Sequence, residues 1–190
     1  MAYRLPWLAV AYVAPALAAL LLVRSTWSRR DRPGGTLWVA LLATVSGWSL
    51  VYGVSLLVAD RALRLLFEYL VWLPRTWVGV VFLAFALAYT GRGHLLRSRW
   101  FGLLVGTEAL VTFTLLTNSV HNLLWSEFTV APTLGTATAS YTFGPLLYVD
   151  ASLTYLATGI GIILLAETVA SYGSQYRQHA LAIVIASLFP

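Results

Sequence analysis

The 190-residue chain contains no cysteine and no lysine, and all twelve of its basic residues are arginine. Without cysteine there is no disulfide framework, no thiolate metal site and no cysteine nucleophile. Without lysine there is no amine for a retinal Schiff base or a pyridoxal linkage, which excludes a rhodopsin. Charge is scarce as well: 10% of residues are charged against 59% hydrophobic, with a mean hydropathy of +0.79. That leaves far too little polar surface for a soluble domain of this length. No glycine-rich phosphate loop, no HExxH pair and no Ser-His-Asp order occurs, so the chain is read as non-enzymatic, with no cofactor. His121 has no partner at metal-ligand spacing apart from Glu127, six residues on, and no metal site is assigned.

What is present is a series of apolar runs. Leu5 to Val23, Leu37 to Val58, Ala62 to Tyr89, Phe101 to Thr117 and Phe143 to Ala166 are each long enough to cross a hydrocarbon core of roughly 30 Å. A sixth run begins at Leu181 and stops at Pro190, about half of what a crossing needs. The expected fold is therefore all-α, a polytopic transmembrane bundle of five full spans and the start of a sixth, with the lipid bilayer as its first partner. The whole of residues 1–190 reads as one membrane domain cut within that sixth span. Pro15 lies mid-span and predicts a kink in the first helix. Gly102 and Gly106 form a small-xxx-small pair that predicts close helix approach in the fourth span. The segment from His121 to Thr142 is poor in apolar runs and rich in Thr, Ala, Gly and Pro, and predicts an extramembrane loop of limited order.

A net charge of +5 raises nucleic acid as a partner, but the arginines punctuate the apolar runs instead of forming a patch, and they read as topology signals. The connections after spans one, three and five carry Arg24, Arg29, Arg30 and Arg32; Arg92, Arg97 and Arg99; and Arg177, whereas only Arg61 and Arg64 follow span two. The positive-inside rule then predicts a multi-pass protein of the cell membrane with its amino terminus outside. His94 and His179 fall in cytoplasmic loops on this reading.

Charges at membrane depth cost about 2.5–3.5 kcal/mol each at a helix centre, so each needs a partner, a wet cavity or a neutral state. Arg75, Glu108 and Asp150 lie at such depth. Spans three and five run in the same direction, which puts Arg75 and Asp150 level and predicts an ion pair between them; Glu68, two turns before Arg75, competes for it. At the outer end of span four, Leu116 to Trp125 reads LTNSVHNLLW, where Asn118 and His121 sit beside an interface tryptophan. Arg75, Glu108, Asn118, His121 and Asp150 are accordingly the candidate lining of a polar, ligand-binding outer cavity.

Four segments, in this order, carry a resemblance: FALAYTGRG at Phe85 to Gly93, closing a span that contains Leu73 and Pro74; LTNSVHNLLW; FGPLLYVDASLTYL at Phe143 to Leu156; and YRQHALAIVIASLFP at Tyr176 to Pro190. Together they resemble the seven-transmembrane amino-terminal region of microbial sensor histidine kinases, departing from it at Ala88 and Asn122, where that family carries a carboxylate and a second histidine. The resemblance implies seven spans in the complete domain and a sensory role, with an unidentified small-molecule or membrane-state stimulus. It also implies cytoplasmic PAS and kinase modules beyond Pro190, through which the parent forms a homodimer and acts as a protein histidine kinase. The competing readings are a small-solute transporter fragment, which calls for paired broken helices in two halves, and a structural membrane subunit, which calls for none of the buried charges.

Overall fold

The computed structural model describes residues 7–133 and 135–171; the sixth apolar run and His179 lie outside them. Five long helices, α1 (Trp7–Thr26), α2 (Gly35–Ser55), α3 (Arg61–Tyr89), α4 (Arg99–Leu116) and α6 (Pro145–Ser171), account for the five expected spans. A single turn, α5 (Asn118–His121), follows α4. The chain is an all-α membrane bundle with one β-hairpin set on its end.

Local sequence fixes the helix starts. Asp60 caps α3 by accepting from the Leu63 N–H at 2.9 Å, and Ser98 caps α4 by accepting from the Phe101 N–H at 3.2 Å. Pro145 opens α6, where its missing donor is no loss. The helical assignment continues through Pro15 in α1 and Pro74 in α3.

α3 is the central helix. Its buried positions run from Arg64 to Leu87, and α2, α4 and α6 pack around it. Phe82, Phe85 and Ala86 of α3 meet Leu41 of α2 and Leu165 of α6 in one core cluster, and Leu83 and Leu87 meet Ala157 in another. The α3–α6 crossing is close because Gly79 has no side chain: a Cβ there would stand 2.9 Å from the Thr154 Cα. α1 packs on α2, through Gly53, through the Ser49 hydroxyl donating to the Tyr12 carbonyl at 2.8 Å, and through the Tyr12–Tyr52 edge contact at 4.6 Å.

Two expectations are corrected here. The segment after His121 is ordered: β1 (Trp125–Thr133) and β2 (Thr136–Phe143) pair antiparallel from Trp125↔Phe143 to Thr133↔Thr136, with a bulge between Ser126 and Thr129 at which Glu127 takes φ 55°. The Thr, Val, Tyr and Phe residues that populate it are strand formers, and Gly135 at φ 78° makes the reversal. Reading its Gly and Pro as loop markers missed the β-branched residues between them. The second correction concerns Gly102 and Gly106, where a Cβ would meet nothing within 4 Å among the described residues. The close helix approaches are made at Gly53, Gly79 and Gly161 instead.

Candidate functional site

The hairpin is tied to the bundle at the end where α2 gives way to α3. The Ala137 N–H donates to the Leu56 carbonyl at 2.8 Å, and the Arg61 Nη2 donates to the Phe128 carbonyl at 3.3 Å. Beneath it, on the first turns of α3, lies a buried polar network. Arg64 donates through Nε to the Ala137 carbonyl at 3.1 Å and through Nη1 to Glu68 Oε2 at 2.5 Å, an i,i+4 ion pair. Glu68 Oε1 accepts from Trp72 Nε1 at 3.2 Å and from the Tyr141 hydroxyl at 3.0 Å. Arg64 and Glu68 are only 1% and 3% exposed, so the pair is fully removed from water. Burial, and behind it the Glu68 carboxylate, push the Tyr141 phenol above its ordinary range, which keeps the hydroxyl a donor. Trp125 packs between Tyr69, Trp72 and Tyr141, joining the hairpin to α3 by aromatic faces as well.

Next to this network is a cavity of about 620 Å³. α1 contributes Tyr12, α2 Trp48 and Tyr52, α3 Glu68, Trp72 and Arg75, and the hairpin Tyr141. The volume falls in the range of small-molecule sites, and an aromatic lining with a few polar groups is what such sites present.

The five sequence-predicted site residues fall into three places. Arg75 lines the cavity, its guanidinium 4.0 Å from the centre of the Trp72 ring. Its expected ion pair with Asp150 is absent: the ion pairs among the described residues are Arg64–Glu68 and Arg92–Glu167. Asp150 lies instead near Glu108 of α4 and Thr76 of α3. Glu108 and Asp150 are 1% and 2% exposed. Each leaves one buried carboxyl oxygen, Glu108 Oε2 and Asp150 Oδ1, without a hydrogen-bond partner among the described residues. Glu68 does not compete for Arg75, because Arg64 takes it first.

Asn118 and His121 stand apart from the cavity. Asn118 is buried and serves the chain itself: its Oδ1 accepts from the Leu124 N–H at 2.9 Å and its Nδ2 donates to the Trp125 carbonyl at 2.9 Å. His121 is half-buried; Nδ1 accepts from the Leu123 N–H at 3.1 Å and Nε2 meets the Thr117 hydroxyl at 3.2 Å. That pattern makes Nε2 the protonated nitrogen and leaves the ring bonded on both sides. Asn122 at φ 53° then turns the chain into the hairpin. The motif that stands out in the sequence thus clasps the hairpin to the end of α4. Among the described residues no three His or carboxylate side chains cluster as a metal site.

Sequence reasoning missed Tyr12, Trp48, Tyr52 and Tyr141. Tyr141 sits in a segment read as a loop, and the other three sit in spans where aromatics signal little by themselves. The available signal was Arg64 and Glu68 at i,i+4 spacing on the face that also carries Trp72 and Arg75.

A sequence family described as the N-terminal 7TM region of histidine kinase matches residues 11–190. No curated protein and no solved structure matches the chain. With nearly the whole chain matched, the protein belongs to that family.

Proposed function

We propose that this chain, as a histidine-kinase 7TM region, is the signal-input domain of a two-component sensor, receiving a stimulus at the hairpin end and passing it to cytoplasmic PAS and kinase modules. The family match over residues 11–190 is the observation that carries this reading. The arrangement of the molecule supports it. The hairpin and the α2–α3 turn share one end of the bundle, while Arg24, Arg29, Arg30, Arg32, Arg92, Arg97 and Arg99 occupy the connections at the other. By the positive-inside rule the arginine end faces the cytoplasm, and the hairpin and amino terminus face out, in the cell membrane.

The relay follows from packing. α3 reaches from the buried Arg64–Glu68 network to Tyr89, and α6 runs beside it to a second contact at the arginine end, where Arg92 Nη2 meets Glu167 Oε2 at 2.9 Å. A ligand that favours one placement of the hairpin and α1 against α3 shifts the population of helix arrangements, and packed helices carry such a shift as a rigid-body change. A transporter reading lacks support, since helical structure continues through both Pro15 and Pro74. The test is autophosphorylation of the protein encoded by the complete gene, in membranes, with and without Glu68→Leu. A kinase whose output responds to this substitution on the opposite side of the bilayer supports the reading; a complete gene without a histidine-kinase module defeats it.

A further inference from the structure

The cavity beneath the hairpin has a definite charge character, because its two charged wall residues are in different states. Glu68 is already satisfied: Arg64 neutralises its charge, and Trp72 and Tyr141 donate to its second oxygen. Arg75 is not. Among the described residues its guanidinium donates no hydrogen bond and forms no ion pair, its Nη1 is shut off from the surface without a partner, and it lies over the face of Trp72. Five N–H donors on a planar fork are left over at a half-buried position. Asp150, whose buried Oδ1 is also without a partner, forms no ion pair with Arg75. Apart from Ser49, whose hydroxyl is taken by the Tyr12 carbonyl, the rest of the wall is apolar or aromatic, with Ala11, Pro15, Val45, Trp48 and Phe143 among it.

We infer that this cavity binds an anionic amphiphile, a carboxylate on an apolar or aromatic body, with the Arg75 guanidinium as the anchor for the acid group. A cationic ligand gains nothing here: the aromatic faces suit it, but Glu68 is neutralised and Arg75 repels it. A neutral apolar ligand leaves the guanidinium as unsatisfied as before. A carboxylate takes two parallel N–H···O bonds from Arg75 and cancels its charge, while its body covers the aromatic wall. The acid is either a fatty acid supplied by the bilayer or a soluble aromatic acid from outside; both present the same group to Arg75. As a sensory ligand this molecule rests on the signal-input reading, but its binding does not.

The experiment is photoaffinity labelling of the chain in phosphatidylcholine nanodiscs with a diazirine-bearing dodecanoate, the cross-linked residues being mapped by mass spectrometry. The labelled residues are expected on the cavity wall, with label falling at least about tenfold in Arg75→Gln, since a bond to a charged donor is worth that much or more. Arg75→Lys retains part of it. Ala11→Trp fills the cavity from its α1 wall without touching Arg75 and lowers labelling as well, which keeps the test open if Arg75→Gln does not fold. Competition by dodecanoate alone assigns the site to bilayer fatty acids, and competition by indole-3-carboxylate assigns it to soluble aromatic acids. Equal labelling of the wall by the matching dodecanol probe overturns the inference, as does label undiminished in both folded variants. Labelling without any change in the complete kinase's autophosphorylation defeats the signal-input reading and leaves the site standing. A kinase response to dodecanoate with no label in the cavity does the reverse.

Discussion

Replacing Glu68 by leucine removes the acceptor on which three donors converge. The Arg64 guanidinium keeps only its bond to the Ala137 carbonyl, and a buried cation that loses its counter-charge costs about 3–5 kcal/mol. The Tyr141 hydroxyl loses its acceptor too, although it still accepts from Trp72 at 3.3 Å. Arg64→Met strands the opposite charge, but Glu68 keeps its Trp72 and Tyr141 donors, so the loss belongs at the lower end, about 3 kcal/mol. The double variant leaves no buried charge. What remains is one Ala137 carbonyl without Nε and one Tyr141 hydroxyl without an acceptor, roughly 1 kcal/mol each. The two singles then sum to about 6–8 kcal/mol against about 2 for the double, a coupling of about 4 or more, above the usual range for neighbouring residues.

Equilibrium unfolding in mixed micelles, followed by tryptophan fluorescence, measures the three variants against the unsubstituted chain. Amide exchange over residues 125–143 gives a second view, since Glu68→Leu loosens the Ala137 and Tyr141 anchors and the double variant restores part of the protection. A double variant that loses the full sum of the two singles would refute the reasoning, because the pair would then be two independent snorkelling charges.

Three further outcomes are expected. Cysteines placed at Ser28 and Ser98 stay shielded from an impermeant thiol reagent in intact cells while one at Thr133 is labelled; external labelling of Ser98 inverts the orientation. Asn118→Ala leaves the Leu124 N–H and the Trp125 carbonyl without partners and costs about 1–3 kcal/mol, whereas Asn122→Gly, which relieves φ 53°, is neutral or slightly stabilising; equal costs would mean that Asn118 is no clasp. Glu108→Gln keeps a hydrogen-bonding group near the buried Asp150 and changes the unfolding midpoint little, while Glu108→Leu leaves Asp150 facing an apolar side chain and costs about 1–3 kcal/mol; equal losses would show that the two side chains do not interact.

The helices were legible because composition and run length report directly on lipid as solvent: five runs of spanning length became α1, α2, α3, α4 and α6. Pairing of the charges was not. Level depth made Arg75 and Asp150 candidates, but depth leaves rotation about the helix axis undetermined, and rotation turned Asp150 toward Glu108. Arg64 and Glu68 at i,i+4 needed no such knowledge, since one helix fixes both positions. The hairpin was missed for a related reason: a short strand's pattern is weak beside a helical span, and its partners lie on other elements, the end of α2 and the start of α3.

The hairpin also explains why charge is tolerated at Arg64 and Glu68. At the start of a membrane helix both side chains can reach water, and an i,i+4 pair exposed there contributes a few tenths of a kcal/mol at most. Covered by β2 and Trp125, the same pair gains hydrogen bonds to Ala137, Trp72 and Tyr141, all of which must be in place together. Displacing the hairpin therefore does more than expose a loop: it opens a buried charge network of which Glu68, Trp72 and Tyr141 also line the cavity. On the proposed reading, a ligand in that cavity touches three of the side chains that hold the hairpin closed, which is the physical requirement for a bound ligand to bias one helix arrangement over another.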